Sequence, residues 1–310
     1  MDFLIGSTGF VGSNLSMQHS FDGLFHSRNV ADAYGKEPDL LVYAGVRAEM
    51  FLANHDPAAD RRAIDGAIRN IREIAPRECV LISTIAVYPD SRGADEDTPI
   101  DERALPAYGA NRLALERRVE EAIPNSLILR LPAIYGKGLK KNFLYDYIHV
   151  IPTLLTEAKL SELAARAPRL TGFYLPQGNG FYKCKPLTDS EESTLKKLFE
   201  ELNFTALQFT DSRSVYQFYA LNDLWAHISL ARANGLRRLN LTPQPVSARE
   251  VYTALTGKTF HNHLNKQPFS YDLRTKHAAL FGRRDGYIFS REKELRDIRA
   301  FVRAEGGACL

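Results

Sequence analysis

A chain of 310 residues has room for one large domain or two joined ones, which excludes a mini-scaffold. Its 40 basic and 37 acidic residues leave a net charge of +3 and a pI near 8.6, with the excess spread along the chain, so a basic nucleic-acid-binding arm is not expected. The composition is 45% hydrophobic with a mean hydropathy of −0.27 and no apolar run near the ~20 residues of a membrane span, which predicts a soluble protein with a proper core and no membrane partner.

Met1 and Asp2 lead straight into an apolar run and a glycine turn, without the basic and long apolar regions of an export signal. Cys79, Cys184 and Cys309 are far apart, odd in number and in no CxxC, so neither a disulfide framework nor a zinc site is expected. His261 and His263 have no carboxylate or cysteine at ligand spacing, and no metal is implied. A reducing, cytoplasmic location is the expectation.

Strand-like apolar runs occur at 3–5, 23–26, 40–44, 80–83 and 127–131, with helical patterns between most of them. Such alternation predicts an α/β fold with a parallel sheet covered on both faces. Two amphipathic helices are expected over 57–75, with Ile64, Ile68 and Ile71 at helical spacing, and over 106–123, with Leu115, Val119 and Ala122. After a glycine-lysine turn at 136–138 the pattern predicts a helical stretch to about Arg166, then a Gly/Pro/Tyr-rich segment at 171–187 and a helix at 191–202. Residues 216–241 return to strand-like and helical patterning. No internal repeat or flexible linker is evident.

GSTGFVG at 6–12 follows the first strand and opens a helical stretch, the context a dinucleotide-binding turn requires. Glycine is needed there because a Cβ would block both the turn and the approach of a pyrophosphate to the backbone N–H groups, and the helix end adds partial positive charge. Gly6, Thr8, Gly9, Phe10, Val11 and Gly12 are the expected phosphate-side contacts. The second strand ends in FHSRN at 25–29. No carboxylate stands there for the ribose hydroxyls of NAD, and Ser27 with Arg28 would instead meet a 2′-phosphate, favouring NADP(H) with NAD(H) left open; a surface arginine after a strand is also common. STIAVY at 83–88 closes a strand, and AYGANR at 107–112 opens a helix with Tyr108 and Arg112 four apart on one face. A hydroxyl and a phenol converging on a carbonyl can protonate its oxygen as hydride reaches carbon, and a nearby cation makes the phenolate accessible.

On these motifs the chain resembles the extended short-chain dehydrogenase/reductase family of nucleotide-sugar epimerases, dehydratases and 4-ketoreductases, over nearly its whole length. VLISTIAVYP is similar to that family's strand-five serine/threonine motif, AYGANR to its Tyr-xxx-Lys motif, LILRLPAIYGKG to the segment that follows, and NLTPQPVSAREVYTALTG to the entry into its substrate domain. The resemblance implies a Rossmann-type doubly wound parallel sheet with a smaller C-terminal α+β substrate-binding subdomain. The expected division is 1–150 with 214–241 for the dinucleotide, and 151–213 with 242–310 for the substrate. It further implies Thr84 as substrate hydrogen-bond donor, Tyr108 as general acid/base, Ala44, Gly45 and Pro132 along the cofactor, and a homodimer through the helices at 57–75 and 106–123.

Four departures bear on activity. The family lysine is Arg112, which keeps the charge but cannot act as a neutral relay. Ile85 and Ala86 follow Thr84 where dehydratases carry Asp-Glu, so dehydration is disfavoured. NFLYDYIHVIP at 142–152 is similar to a run in the GDP-fucose synthase group, which makes Asn142 substrate-binding and His149 a candidate acid, but Ala86 stands where that group has its cysteine base. Arg213 is the candidate for gripping the substrate diphosphate, in place of an arginine missing near Tyr216. GNGFYK at 178–183 is either a loop that closes over a sugar or a packed turn. The expected function is NADP(H)-dependent reduction of a 4-keto nucleotide-linked sugar. The alternatives are a C4-type epimerase with retained NAD and a catalytically weakened dinucleotide-binding protein.

Overall fold

The structure is a computed structural model, and it describes residues 1–307 and 309. In chain order its elements are β1 (Asp2–Ile5), α1 (Phe10–Ser16), β2 (Gly23–Phe25), β3 (Leu40–Tyr43), α2 (Met50–His55), α3 (Pro57–Ile74), β4 (Glu78–Thr84), α4 (Ala107–Ala122), β5 (Ser126–Leu131), β6 (Ala133–Tyr135), α5 (Phe143–His149), β7 (Leu154–Thr156), α6 (Glu157–Arg166), β8 (Tyr174–Pro176), β9 (Phe181–Cys184), α7 (Asp189–Glu201), α8 (Ala206–Phe209), β10 (Val215–Tyr216), β11 (Phe218–Ala220), α9 (Leu224–Ala233), β12 (Arg238–Asn240), β13 (Val246–Ser247), α10 (Ala248–Thr256) and α11 (Arg291–Ala304). They fall into two compact units, one of Met1–Leu139, Tyr216–Pro245 and Ser270–Glu294, the other of Lys140–Val215, Val246–Phe269 and the segment from Leu295. Among the described residues no helix is long and apolar enough to cross a membrane.

The first unit is built on a six-stranded sheet in the order β12-β5-β4-β3-β1-β2, with every pairing parallel. Because such strands are covered on both faces, they read as continuous apolar runs and still divide their side chains by the pleat. Phe3, Ile5, Leu41, Tyr43 and Leu81 pack with Ile64, Ile68 and Ile71 of α3 and Leu115 and Val119 of α4. Leu4, Val42, Val80, Leu127 and Leu129 pack with Leu15 of α1 and Leu224 and Ile228 of α9. Each of these side chains contributes about 1.5–3 kcal/mol by leaving water. Helix α3 begins where the sequence asks for it: Asp56 accepts the Ala59 N–H at 2.9 Å and Pro57 occupies the first turn, where a missing N–H costs nothing. It stops at Ala75, which turns left-handed at φ 53°. From β1 the chain adds β2 on one side and β3 on the other, so the strand order reverses at β1. In open α/β sheets that reversal leaves a crevice at the carboxyl ends of the strands.

A buried polar set ties α4 to the sheet. Glu116 of α4 pairs with Arg130 of β5 at 2.6 Å and accepts the Ser83 hydroxyl at 2.5 Å, and Arg130 also donates to the Tyr88 hydroxyl at 2.6 Å. Charges this deep persist only because every partner is present.

The second unit contains an antiparallel sheet, β7-β9-β8, packed on α6 and α7 through Leu155, Leu160, Leu163, Leu195, Leu198 and Phe199. Here the structure departs from the sequence reading. The stretch expected to run helically to about Arg166 is broken after α5: Val150 adopts φ 63°, Pro152 cannot continue a helix, and β7 intervenes before Thr156 caps α6 by accepting the Lys159 N–H. The Gly/Pro/Tyr-rich segment carries β8 and β9, and the glycines of GNGFYK form the turn between them, with Gly178 and Gly180 at positive φ and the Gln177 N–H donating to the Phe181 carbonyl at 2.8 Å.

Candidate active site

The glycine turn stands at the carboxyl end of β1, as its sequence position requires. Gly6 has φ 88°, and a Cβ on it would lie 2.5 Å from the Ala44 carbonyl oxygen. One on Gly12 would lie 2.1 Å from the Gly6 oxygen. These two glycines therefore serve the protein's own close packing of β1, β3 and α1. At Gly9, the residue before α1, a Cβ would meet only the Gly6 oxygen, at 3.2 Å. Thr8 and Gly9 are exposed, Phe10 and Val11 half-buried, and no side chain caps the amino end of α1. This is a cradle a Cβ would partly fill, with helix N–H groups directed into it, and it fits the pyrophosphate of a dinucleotide.

After β2 the chain turns on its own side chains. The Asn29 Oδ1 accepts the His26 N–H at 2.8 Å and the His26 Nδ1 accepts the Arg28 N–H at 3.2 Å. Ser27 and Arg28 are exposed in this turn, while Ala44 is half-buried and Gly45 exposed beyond β3. Pro132 is half-buried between β5 and β6.

Tyr108, Thr84 and Arg112 meet. Thr84 closes β4, and its hydroxyl accepts the Ala86 N–H at 3.1 Å and lies near enough to the Tyr108 phenol to favour the phenolate. Ser83, its neighbour in the motif, is turned instead to Glu116. The Tyr108 N–H donates to Asn54 Oδ1 at 2.9 Å, and Gly109 lets the first turn of α4 approach so closely that a Cβ there would lie 2.3 Å from the Ala86 oxygen. The Arg112 guanidinium carbon sits 4.2 Å from the Tyr108 ring centroid. Burial holds the Tyr108 pKa above the usual phenol value; Arg112 and the Thr84 hydroxyl pull it down, and Asp60 pushes it up.

Arg112 is itself held on two sides, donating from Nη1 to Asp60 Oδ2 and from Nη2 to the Arg47 carbonyl, both at 2.6 Å. Asn111 Nδ2 donates to the same Asp60 oxygen at 2.8 Å. Sequence reasoning did not single out Asp60, Asn54 or Arg47. Asp60 carried a signal: it lies one turn before Ile64 on the stripe that α3 buries, where a carboxylate must find a partner.

The other candidates belong to the second unit. Asn142 is the residue before α5, its Oδ1 accepting the Leu144 and Tyr145 N–H groups at 3.0 and 3.2 Å. His149 closes the same helix with its ring 4.2 Å from that of Tyr145, and burial followed by Lys196 lowers its pKa against the opposing Glu192 and Glu305. On α5 Asp146 is pushed up to about 6 by burial. Arg213 makes a forked pair with Asp211, Nε to Oδ1 at 2.9 Å and Nη2 to Oδ2 at 2.7 Å.

At the level of sequence the chain matches no family model and no curated protein. In three dimensions it matches solved structures along its whole length. The dTDP-4-dehydrorhamnose reductase from Bacillus anthracis, in complex with NADP, aligns with a TM-score of 0.62 at 13% identity over 98% of this chain and 99% of that one. A UDP-galactose 4-epimerase aligns at 0.58 and 14% identity over 97% of each chain. MoeE5, in complex with UDP-glucose and NAD, aligns at 0.55 and 16% identity over 99% of this chain and 100% of that one. The chain has the fold of the extended short-chain dehydrogenase/reductases. Within that fold the α/β reading of the sequence holds, and the serine/threonine motif lies on β4, the fourth strand in chain order.

Proposed function

We propose that this chain is an extended short-chain dehydrogenase/reductase that uses NADP(H) to reduce the 4-keto group of a nucleotide-linked sugar. The observation that carries the reading is the meeting of Tyr108, Thr84 and Arg112, with the Arg112 guanidinium over a buried phenol ring. A nicotinamide dinucleotide bound at the glycine turn supplies hydride to the carbonyl carbon. Thr84 orients the carbonyl oxygen, and Tyr108 gives it the phenol proton, leaving a phenolate that the Arg112 charge favours and that water reprotonates. The exposed Arg28, in a turn without a carboxylate, is the feature that favours a 2′-phosphate. The first unit takes the dinucleotide, and the second takes the nucleotide sugar through Asn142, His149 and Arg213. Ala86 cannot remove a proton, which favours reduction without epimerisation at neighbouring carbons.

One observation favours a second reading, a weakened dinucleotide-binding protein: both terminal nitrogens of Arg112 are engaged by Asp60 and Arg47. Separate titrations with NADPH and NADH, followed by a screen of 4-keto nucleotide sugars, decide between them. Exchangeable binding that prefers NADPH, with turnover, supports the reductase. Binding without turnover that Arg112→Lys restores supports the weakened site. Protein purified with NAD⁺ retained moves the assignment to a C4-type epimerase, and binding of neither nucleotide removes the catalytic reading.

A further inference from the structure

Arg112 lies over the Tyr108 ring, and alone its positive charge would favour the phenolate. It is not alone. The Arg112 and Asp60 side chains are 6% and 10% exposed and in contact at 2.6 Å, and Asn111 holds the same Asp60 oxygen at 2.8 Å. In so dry a place a carboxylate acts on its surroundings with little screening by water. We propose that Asp60, by its negative charge beside Arg112, is a positioning residue that offsets the pull of that cation on the Tyr108 phenol, so that the site is set to give a proton to a carbonyl oxygen and not to take one from an alcohol. The groups facing the phenol are Arg112 from its own helix, Asp60 from α3 and the uncharged Thr84 hydroxyl from β4, while α2 brings the Asn54 amide to the Tyr108 N–H. The direction agrees with the electrostatics, in which Asp60 opposes Arg112.

The proposal deepens the reductase reading and rests on its assignment of Tyr108 as the acid. Its test uses the free protein: the tyrosinate absorbance of the full chain, minus that of its Tyr108→Phe variant, followed through the alkaline range. In Asp60→Asn the Tyr108 titration moves to lower pH, and the phenolate fraction below the midpoint rises about tenfold for each unit of the fall. Asp60→Glu, which keeps the charge, titrates with the parent. A midpoint in Asp60→Asn that is unchanged or higher overturns the proposal.

Asp60→Asn leaves Arg112 as a buried unpaired cation, so folding is checked by circular dichroism. If that variant does not fold, Arg112→Gln is compared with the double variant Asp60→Asn/Arg112→Gln, which buries no unpaired charge of this pair. The phenol then titrates lower in the double variant than in Arg112→Gln, and equal midpoints overturn the proposal. Neither readout requires a nicotinamide or a sugar. Failure of the reductase reading therefore registers separately, as absence of nicotinamide binding.

Discussion

Tyr108 is 5% exposed, and that burial is the largest influence on its proton affinity. Removing the hydroxyl removes the proton donor without disturbing the glycine turn, so Tyr108→Phe is expected to lower kcat about 10²–10⁴-fold while leaving NADPH affinity near the parent value. Steady-state kinetics together with a fluorescence titration of NADPH check both halves. A second residue governs stability in acid. The His227 ring packs against Phe281 and Phe289 and shares a hydrogen bond of 2.7 Å with the Tyr219 hydroxyl through Nδ1, and burial pushes its pKa down to about 4. The unfolded imidazole takes its proton near 6.5 and the folded one resists until about 4, so the unfolded state binds more protons between those values. The neutral ring's contribution is fully present above the unfolded pKa and falls away on acidification toward the folded one, by about 3 kcal/mol at most. Urea unfolding at neutral pH and near about pH 4.5 should show this slope in the parent and lose most of it in His227→Phe.

At the scale of elements, the placement of α4 on β4 decides the chemistry. Glu116 anchors the middle of the helix to Ser83 and Arg130, and Gly109 permits its first turn to touch the Ala86 carbonyl. Gly109→Ala puts a Cβ 2.3 Å from that oxygen, so the first turn must lift and carry Tyr108 away from Thr84. The expected outcome is a loss of about 10²-fold in kcat with only about 1–3 kcal/mol of stability, measured by turnover and urea unfolding on one preparation. The strands of the parallel sheet and helices α3 and α4 were legible because their apolar residues recur at the strand and helix periods over long stretches. The break between α5 and α6 was missed although Pro152 is its signal in the sequence, and the left-handed Val150 that completes it leaves no pattern in composition. Helix α2 was missed for a related reason: it is short, and Met50, Phe51 and Leu52 in a row obey no amphipathic period.

At the scale of the whole molecule, that same row has a consequence for assembly. Met50, Phe51 and Leu52 are 46%, 63% and 44% exposed, and α2 packs beside α3 and α4, the helices from which the sequence resemblance implies a homodimer. Adjacent exposed apolar side chains are what an interface covers. Sedimentation equilibrium is expected to give twice the 34.9 kDa chain mass, with Phe51→Glu shifting the protein toward the single chain. A parent protein that sediments at the mass of one chain removes the dimer. The sequence by itself determined the alternation that folds into a doubly wound sheet, the glycines without which β1, β3 and α1 could not approach, and the order of threonine, tyrosine and arginine along the chain, because each rests on local periodicity or on the size of one residue. Only the tertiary structure decided that Ser83 is turned to Glu116, that Arg112 is shared with Asp60 and that Arg213 is forked to Asp211. Those are pairings between buried charges and hydroxyls brought together from distant positions or by side-chain direction, and their strength depends on a dry environment that no single segment creates.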